Sequence, residues 1–592
     1  MSDPSALGSL KRQIRAASGA EPLDLVVRNC RLVNVYTDEI GPADLGITEG
    51  RIVTLHAGSR GAGEVFDAGG LFAVPGFIDA HVHIESSLLT PESLAEVVTP
   101  TGTTALFVDP MEIANVAGAA GVEALMAAED RLPYRLFLEV SSRVPTAPGL
   151  ETTGGELGLS DVQHLLAHPA TVSLGELDPS KVLTLSDDHL EKVLAARRAG
   201  KIANGHAAGL NGAELEAYAS GGLVDDHEVL TFEELRERLR LGMAVLIREG
   251  STERNLEALI RGVLAHGFPT RHLMFCTDDK YASDLRREGA IDWNVNRAVA
   301  LGLQPVAAIQ MATLNAAEHF RLDHLIGALA PGRLADVVLT PTLDPVRAEM
   351  VFVGGRLVAR EGRLVAAPPP SDYPDWLLHT VHLSRGRTAA DFAVHASGSK
   401  VRVRVIEVMT DQITNRLVEE VMEIQGGEIR ADPSRDLLKL AVVERHGKNG
   451  NVACGFVRGF GLRRGALVSS VAHDHHNLLV VGADDDDMAA AVQTAGEMQG
   501  GFAVVASGEV LARLPLPLAG LMSLERAPRV EAMLEACHRA AAGLGCTLPA
   551  PFMTLSFVSL PTVPEAGMTD FGLVDVRAHK LIDVVAGAVS AR

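Results

Sequence analysis

The segment PGFIDAHVHIESSLL, residues 75–89, carries an aspartate and two histidines at alternating positions. If this segment is a strand, Asp79, His81 and His83 point to one face, while the residues between them point to the other face. A His-x-His pair at the end of an apolar run can bind a divalent metal ion, or it can be a hydrogen-bonded histidine pair inside a core. The dipeptide spacing is compatible with both interpretations.

Other segments end in residues of the same ligand type. The runs TVSLGE, KIANGH and HLMFCTDD bring Glu176, His206 and Asp278 to strand ends, and His227 lies in GLVDDHE. Taken singly, these residues could be a solvated loop carboxylate, a packed histidine, a helix N-cap and part of a surface turn. Together with the His-x-His pair they bring six ligand-type residues to successive strand ends. This accumulation favours one shared metal site.

The elements that would position these residues alternate along the middle of the chain. Between residues 74 and 330, short apolar runs are each followed by an amphipathic or alanine-rich segment. Such alternation over about 250 residues is typical of a (β/α)₈ barrel, although a doubly wound sheet alternates similarly. Nearly every run ends in a polar residue, and a barrel builds its active site from those strand ends. We therefore predict the barrel.

The flanking regions predict further domains in this α/β protein. Residues 1–20 are expected to form a helical extension. Residues 21–73 and 331–370 contain β-branched runs separated by turn signals, and we predict that they pair as two parts of one small β-sandwich into which the barrel, residues 74–330, is inserted. Residues 371–592 begin with a proline-rich linker and then mix strand-like and helix-like runs, which predicts a C-terminal α+β domain.

Composition excludes several classes of protein. The formal net charge of −22 argues against binding to nucleic acid or to anionic membranes, both of which need basic surfaces. The five cysteines show no CxxC spacing, no signal-peptide pattern opens the chain, and no 18-residue apolar run is present. We expect a soluble cytoplasmic protein with a small-molecule substrate. It is expected to be a homo-oligomer, with a dimer favoured.

The ligand set itself limits the metal. Histidine nitrogens and carboxylate oxygens without a thiolate suit Mn²⁺, Fe²⁺ or Zn²⁺. Six ligands exceed the need of one tetrahedral ion, so a bridging carboxylate could hold two ions about 3.5–4 Å apart, with a hydroxide between them as nucleophile.

Several motifs resemble one family of metal-dependent hydrolases. PGFIDAHVHIESSLLTP is similar to the first-strand signature of the amidohydrolase superfamily, and APGRLADVVL resembles the return into its β-sandwich. Within that superfamily, HIESS, SLGELDP, NGHAAGL, DDHE, REGS and FCTDD resemble the bacterial adenine deaminases, and the similarity includes their additional C-terminal domain. The resemblance implies hydrolysis of adenine to hypoxanthine and ammonia in purine salvage. It also implies two divalent ions per chain, with Mn²⁺ or Fe²⁺ favoured and Zn²⁺ possible.

The resemblance further assigns the metal ligands. His81 and His83 are implied to bind one ion, and His206 and His227 the second ion. Glu176 would bridge them, at the place where many superfamily members have a carboxylated lysine. No lysine ends that strand in this sequence, which agrees with a bridging glutamate.

Two carboxylates are candidates for proton transfer. Asp278 is implied to touch the metal, to accept the proton of the nucleophilic water and to pass it to the departing ammonia. Glu228, next to His227, is our candidate for the acid at ring N1, where negative charge develops during attack. The alternative for Glu228 is a solvent-facing carboxylate in a turn.

Three other polar features have open roles. Arg248 could contact the substrate or be satisfied by neighbouring residues. His473, His475 and His476, in VAHDHHN, could form another metal site or a polar loop packed over the barrel mouth. The acidic run Asp484–Asp487 is predicted to be the first turn of a helix, where the positive end of the dipole favours carboxylates.

Three functions remain open from the residues. The first is deamination of adenine, and the second is hydrolysis of another purine base or a cyclic amide, because one fold and one metal site can host many reactions. The third is a non-catalytic metal-binding protein. The complete ligand set counts against the third function, since a scaffold does not need all of it.

Overall fold

The structure is a computed structural model that describes residues 4–409, 414–562 and 565–588. A helix and a small group of strands open the chain. Their bounds are α1 Pro4–Ser18, β1 Leu23–Asn34, β2 Glu39–Thr48, β3 Arg51–Thr54, β4 Ala62–Asp67 and β5 Phe72–Pro75. β1 pairs with β2 in antiparallel and with β4 and β5 in parallel orientation, so it lies at the centre of this group.

The central section consists of eight parallel strands with helices between them. The strands are β6 Phe77–Val82, β7 Thr103–Val108, β8 Arg135–Val140, β9 Thr171–Leu177, β10 Ile202–Gly205, β11 Asp225–Asp226, β12 Ala244–Arg248 and β13 Leu273–Cys276. β6 to β10 pair in chain order, and so do β11 to β13. Val224 N–H donates to Ala203 O between the two ladders, and a parallel bridge joins Val82 to Asp278. The strands therefore follow one another around a ring.

Twelve helices belong to the central section. They are α2 Pro91–Val98, α3 Met111–Met126, α4 Leu159–Leu166, α5 Pro179–Leu183, α6 Asp187–Arg198, α7 Gly212–Ser220, α8 Phe232–Arg240, α9 Leu256–His266, α10 Ala282–Arg287, α11 Ile291–Ala300, α12 Pro305–Met311 and α13 Leu314–His319. The stretch Met111–Arg131 is long and apolar enough to span a membrane by composition alone, but 67% of its most apolar window is buried inside the protein. It packs here as a core helix.

The chain then returns to the first group of strands. β14 Val337–Thr340, β15 Met350–Val353, β16 Arg356–Arg360 and β17 Arg363–Leu364 follow the central section. β14 pairs antiparallel with β5, with Leu339 opposite Ala73, and the two segments form one nine-stranded sheet. Apolar side chains from both segments, among them Leu45, Ile47 and Val337, share one buried cluster. This shared core holds the two ends of the central section close together.

The C-terminal section, residues 394–588, is built on a second sheet. Its strands are β18 Val394–His395, β19 Lys400–Val408, β20 Asn415–Gln425, β21 Glu428–Ile429, β22 Leu438–Val443, β23 Val452–Arg458, β24 Ala466–Ser469, β25 Leu478–Gly482, β26 Gly501–Ala506, β27 Glu509–Pro515, β28 Ala566–Thr569, β29 Gly572–Asp575, β30 Lys580–Ile582 and β31 Val585–Ala588. The helices are α14 Asp485–Glu497, α15 Ala527–Gly543 and α16 Pro551–Phe557. β28 to β30 form a separate small sheet, and the others form one large sheet.

Two features of the C-terminal section bear on the predictions. Asp484 caps α14 and accepts hydrogen bonds from the N–H groups of Asp486 and Asp487, so the acidic run begins a helix as predicted. One apolar cluster contains residues of the central section, such as Leu89 and Val144, together with Leu479 and Phe552 of the C-terminal section. The two sections therefore share a core.

The predicted mixed α/β content is confirmed. Six apolar runs of the middle segment form β7, β8, β9, β10, β12 and β13, and TVSLGE, KIANGH and HLMFCTDD are three of these runs. β11 was not visible as an apolar run, because it has only two residues and both are aspartates. Asp225 satisfies its charge internally by accepting from Gly205 N–H, and its other oxygen lies 2.6 Å from His319 Nε2.

Candidate metal centre

The carboxyl ends of the parallel strands bring the six predicted ligands together in one buried site. His81 lies in β6 and Glu176 lies in β9. The others follow strand ends: His83, His206 and His227 come directly after β6, β10 and β11, and Asp278 comes two residues after β13. All of them are buried, with at most 7% of the residue exposed. The interpretations of Glu176 as a solvated loop carboxylate and of His227 as part of a surface turn are therefore wrong, and the 7% exposure of Glu228 likewise contradicts a solvent-facing carboxylate.

The first group consists of His81, His83 and Asp278. Asp278 Oδ1 lies 3.7 Å from His83 Nε2 and 4.0 Å from His81 Nε2. Ligand atoms that share an ion at 2.0–2.2 Å are about 3–3.6 Å apart, so small adjustments bring these atoms to a common ion. The three residues form one of the clusters able to hold a metal among the described residues.

The second group is arranged around one oxygen of Glu176. Glu176 Oε2 lies 2.9 Å from His227 Nε2, 3.2 Å from His206 Nδ1 and 3.8 Å from His81 Nε2. The same carboxylate oxygen therefore faces histidines of both groups. This is the geometry in which a carboxylate can bridge two ions.

Two contacts behind the first histidines orient them toward the site. His81 Nδ1 donates to Glu139 Oε2 at 2.7 Å, and His83 Nδ1 donates to the Asp109 carbonyl oxygen at 2.9 Å. Such partners fix the tautomer and direct Nε2 toward the metal. Our sequence analysis missed Glu139, whose only signal was a charged residue inside the apolar run RLFLEV.

The donor atoms fit a divalent cation. Because His81 Nδ1 carries the hydrogen shared with Glu139, its Nε2 has a free lone pair, and this buried atom has no hydrogen-bond partner among the described residues. Buried polar atoms are normally paired, and an unpaired one costs free energy. A metal ion that binds this lone pair satisfies it.

The charges of the site also favour a bound cation. Burial would raise the pKa of Asp278, but the positive charges of His227 and Arg248 lower it to about 2. Burial would lower the pKa of His206, but Glu176 and Glu228 raise it to about 9. The carboxylates are thus ionised, and the negative charge that favours a proton on His206 equally favours a metal ion that displaces this proton.

Glu228 and Arg248 form a buried pair at the edge of the metal site. Arg248 Nη2 donates to Glu228 Oε2 at 2.8 Å, while Nη1 contacts Glu228 Oε1 and donates to Asp278 Oδ2 at 3.0 Å. Burial raises the pKa of Glu228, but Arg248 together with His206 and His227 lowers it below its usual range. Arg248 therefore joins the two carboxylates predicted to transfer protons.

A cavity of about 50 Å³ opens onto these residues. Its wall includes the metal-facing side chains, the Glu228–Arg248 pair and residues of the C-terminal section, namely His473, Asp474, Phe557, Leu560 and Thr562. Asp79, by contrast, accepts hydrogen bonds from Thr277 N–H and Oγ1, so it is a neighbour of the site rather than a ligand.

The histidines of VAHDHHN belong to a buried polar loop beside the cavity. His473 Nδ1 lies 3.1 Å from Glu112 Oε1, and Glu112, His473 and His476 are close enough to suggest a further metal group. However, the N–H of Ala472 donates to His476 Nδ1, so in the neutral ring the hydrogen is on Nε2. His476 therefore offers no free lone pair to an ion, and the interpretation as a polar loop over the strand ends is the one that fits.

Comparison with known proteins agrees with this geometry. The family model of the amidohydrolase family matches residues 72–358, and that of the adenine deaminase C-terminal domain matches residues 411–580. A protein named adenine deaminase from Desulforamulus reducens is 52% identical over 98% of this chain and 99% of its own length. Proteins of the same name from Dehalococcoides mccartyi and Moorella thermoacetica are 42% and 41% identical over 97% and 98% of this chain, and each is covered over 99% of its length. The chain belongs to the adenine deaminase family.

Proposed function

We propose that this protein hydrolyses adenine to hypoxanthine and ammonia at a centre of two divalent ions, a reaction of purine salvage. The observation that carries the proposal is the position of Glu176 Oε2, within 3.8 Å of His81, His206 and His227. In this proposal His81 and His83 would hold one ion, His206 and His227 would hold the other, and Glu176 would be shared by both.

The histidine and carboxylate ligands limit which metals can bind and therefore which chemistry a bound metal would supply. Histidine and carboxylate ligands suit Mn²⁺, Fe²⁺ and Zn²⁺, and we propose Mn²⁺ or Fe²⁺ as the working ions with Zn²⁺ as a substitute. When bound, such ions lower the pKa of water enough to supply a nucleophile at neutral pH.

The atom balance of the reaction shows which protons the side chains must transfer. Conversion of adenine to hypoxanthine adds a water oxygen at C6, places one water proton on ring N1 and places the other on the departing amino group. Two proton carriers are therefore required near the ring. Both must begin as bases, because each first accepts a proton and then donates it.

Asp278 and Glu228 meet this requirement. Asp278 belongs to the first metal group, and we assign it the proton that leaves with ammonia. Glu228 lies 3.6 Å from His206 and is kept ionised by Arg248, so we assign it the proton that moves to N1. It would act as a shuttle rather than as an acid that already carries its proton.

The family and the strand pairings support a finer description of the protein. We propose that the eight parallel strands form a (β/α)₈ barrel inserted into a β-sandwich made by β1–β5 and β14–β17, followed by a C-terminal α+β domain. The acidic surface supports a cytoplasmic enzyme that binds neither nucleic acid nor membranes. A homo-oligomer, with a dimer favoured, remains our expectation for its assembly.

The experiment compares substrates and variants after loading with Mn²⁺. Ammonia release from adenine is measured for the wild type, Glu176→Gln and Asp278→Asn, with other purine bases and a cyclic amide as alternative substrates. We expect rapid release from adenine by the wild type and a loss of at least about 100-fold in each variant. If adenine is inert while another purine base or the cyclic amide is hydrolysed, the proposed substrate is wrong. If no substrate reacts and the metal is bound, the protein is a non-catalytic metal binder.

A further inference from the structure

A loop of the C-terminal section reaches the metal site of the central section. This loop, residues 470–477 between β24 and β25, is buried throughout. Within it, His473 N–H donates to Ser556 O at 3.0 Å, and Asn477 Nδ2 donates across the domain boundary to Thr152 O at 2.8 Å. The loop is therefore held in place on both sides of Asp474, which is 2% exposed and lines the cavity.

Arg143 connects this loop to Glu176. The guanidinium is 3% exposed and lies just after β8. Its Nη1 donates to Asp474 Oδ2 at 3.1 Å, and its Nη2 contacts Glu176 Oε1. Thr146 Oγ1 donates to the same Asp474 oxygen at 2.8 Å. The planar guanidinium is thus fixed between a carboxylate of each section.

In this arrangement the two carboxylate oxygens of Glu176 have different partners. Oε1 faces Arg143, while Oε2 faces the three histidines and is the oxygen available to metal ions. A buried guanidinium beside a metal-binding carboxylate is unfavourable for cation binding unless its charge is balanced elsewhere. Asp474 supplies that balance and limits how far Arg143 can turn toward Oε2.

We propose that Asp474 is a positioning residue of the metal centre: it holds Arg143 so that Glu176 presents Oε2 to the ions, and the C-terminal section thereby completes the active site. This inference rests on the metal centre described under Proposed function. It does not depend on adenine being the substrate, because its first consequence is the affinity for metal.

The test compares Asp474→Asn with a matched variant, Asp570→Asn. Asp570 is a second buried carboxylate of the C-terminal section, and it accepts hydrogen bonds from Thr152 N–H and Oγ1 at the same boundary without contacting Arg143. Mn²⁺ affinity is measured on full-length apoprotein by competition with a chromogenic chelator, and the thermal midpoint of unfolding is recorded for each apoprotein. We expect Mn²⁺ to bind Asp474→Asn about 10- to 100-fold more weakly than the wild type, and Asp570→Asn to bind it like the wild type.

A double variant tests whether Asp474 acts through Arg143. If it does, Asp474→Asn combined with Arg143→Gln lowers Mn²⁺ affinity no further than Arg143→Gln alone, because the interaction has already been removed. The proposal is overturned if Asp474→Asn binds Mn²⁺ like the wild type, if Asp570→Asn loses as much affinity, or if the two losses add.

Activity separates this inference from the proposed function. In Mn²⁺-saturated Asp474→Asn we expect kcat for adenine to fall while KM changes less than twofold, since Asp474 acts on the bridging carboxylate. A wild type that binds Mn²⁺ but leaves adenine unchanged would refute the proposed function, and the affinity measurements would still decide the role of Asp474.

Discussion

Among the residues that contact the candidate metal ligands, Glu139 offers the most informative substitution. Glu139 is fully buried, and its two oxygens have separate partners: Oε2 accepts from His81 Nδ1 at 2.7 Å, and Oε1 accepts from Asn204 Nδ2 at 2.9 Å. Both partners are buried, with at most 2% of the residue exposed. A change at this residue therefore acts on His81 without touching the other ligands.

The size of the effect follows from these two hydrogen bonds. A hydrogen bond to a charged group contributes about 1.5–3 kcal/mol, whereas a neutral one contributes about 0.5–1.5 kcal/mol. In Glu139→Gln the amide oxygen can still accept from His81, and Asn204 can turn its amide so that Oδ1, which has no partner among the described residues, accepts from the new NH₂ group. The charged hydrogen bond from His81 becomes a neutral one, which costs about 1–1.5 kcal/mol and corresponds to an affinity for metal about tenfold weaker. Glu139→Leu removes both bonds, and we expect a loss of about 10- to 100-fold.

The assay is a Mn²⁺ competition titration of both variants, with Glu151→Gln as the control. Glu151 is another buried carboxylate, but it accepts from Ala147 N–H and belongs to none of the metal-capable clusters among the described residues. We expect the order of affinity to be wild type and Glu151→Gln, then Glu139→Gln, then Glu139→Leu. Equal affinity in the wild type and Glu139→Leu would refute the reasoning that His81 is a metal ligand oriented by Glu139.

Three further predictions concern pH, metal removal and packing. Arg248→Met removes a positive charge that lowers the pKa of Asp278 and Glu228, so both pKa values should rise. We expect the acid limb of the kcat–pH profile to move upward by about 1–2 pH units in Arg248→Met and by less in Arg248→Lys. An acid limb that does not move in Arg248→Met contradicts this assignment. A chelator should abolish deamination, and added Mn²⁺ should restore the activity. The circular dichroism spectrum should stay unchanged on chelation, because apolar cores hold the fold together. Unfolding on chelation would contradict this prediction. Gly175→Ala places a Cβ 2.1 Å from Asp109 Oδ2, so we expect a lower thermal midpoint and weaker Mn²⁺ binding, and unchanged values would show that the backbone before Glu176 can relax.

The candidate ligands could be predicted because strand ends are visible in sequence. An apolar run marks a buried parallel strand, and the residue that closes it lies at the edge where a barrel builds its site. His81, Glu176, His206 and Asp278 were found in this way, and the mixed α/β fold followed from the same alternation. Roles that came from the family resemblance, such as the bridge by Glu176, gained a geometric basis only from the distances between side chains.

The supporting residues could not be predicted, since their partners are distant in sequence. Arg143 and Asp474 lie 331 positions apart, and neither ends an apolar run. Glu228 was visible as a neighbour of His227, but its charge state depends on Arg248, which comes from another strand. The loop containing Asp474 could be identified as polar, whereas its contact with Arg143 requires the packing of two domains. Pairings of this kind are set by tertiary structure and leave no local periodicity.

The central claim is that water adds to C6 of adenine at this metal site. Its most direct test is the reaction of the Mn²⁺-loaded wild type with adenine in H₂¹⁸O, followed by mass spectrometry of the purine product and measurement of ammonia. We expect hypoxanthine that carries one ¹⁸O atom, one ammonia per hypoxanthine, and neither product from Asp278→Asn. Adenine recovered unchanged, or hypoxanthine without the label, would contradict it.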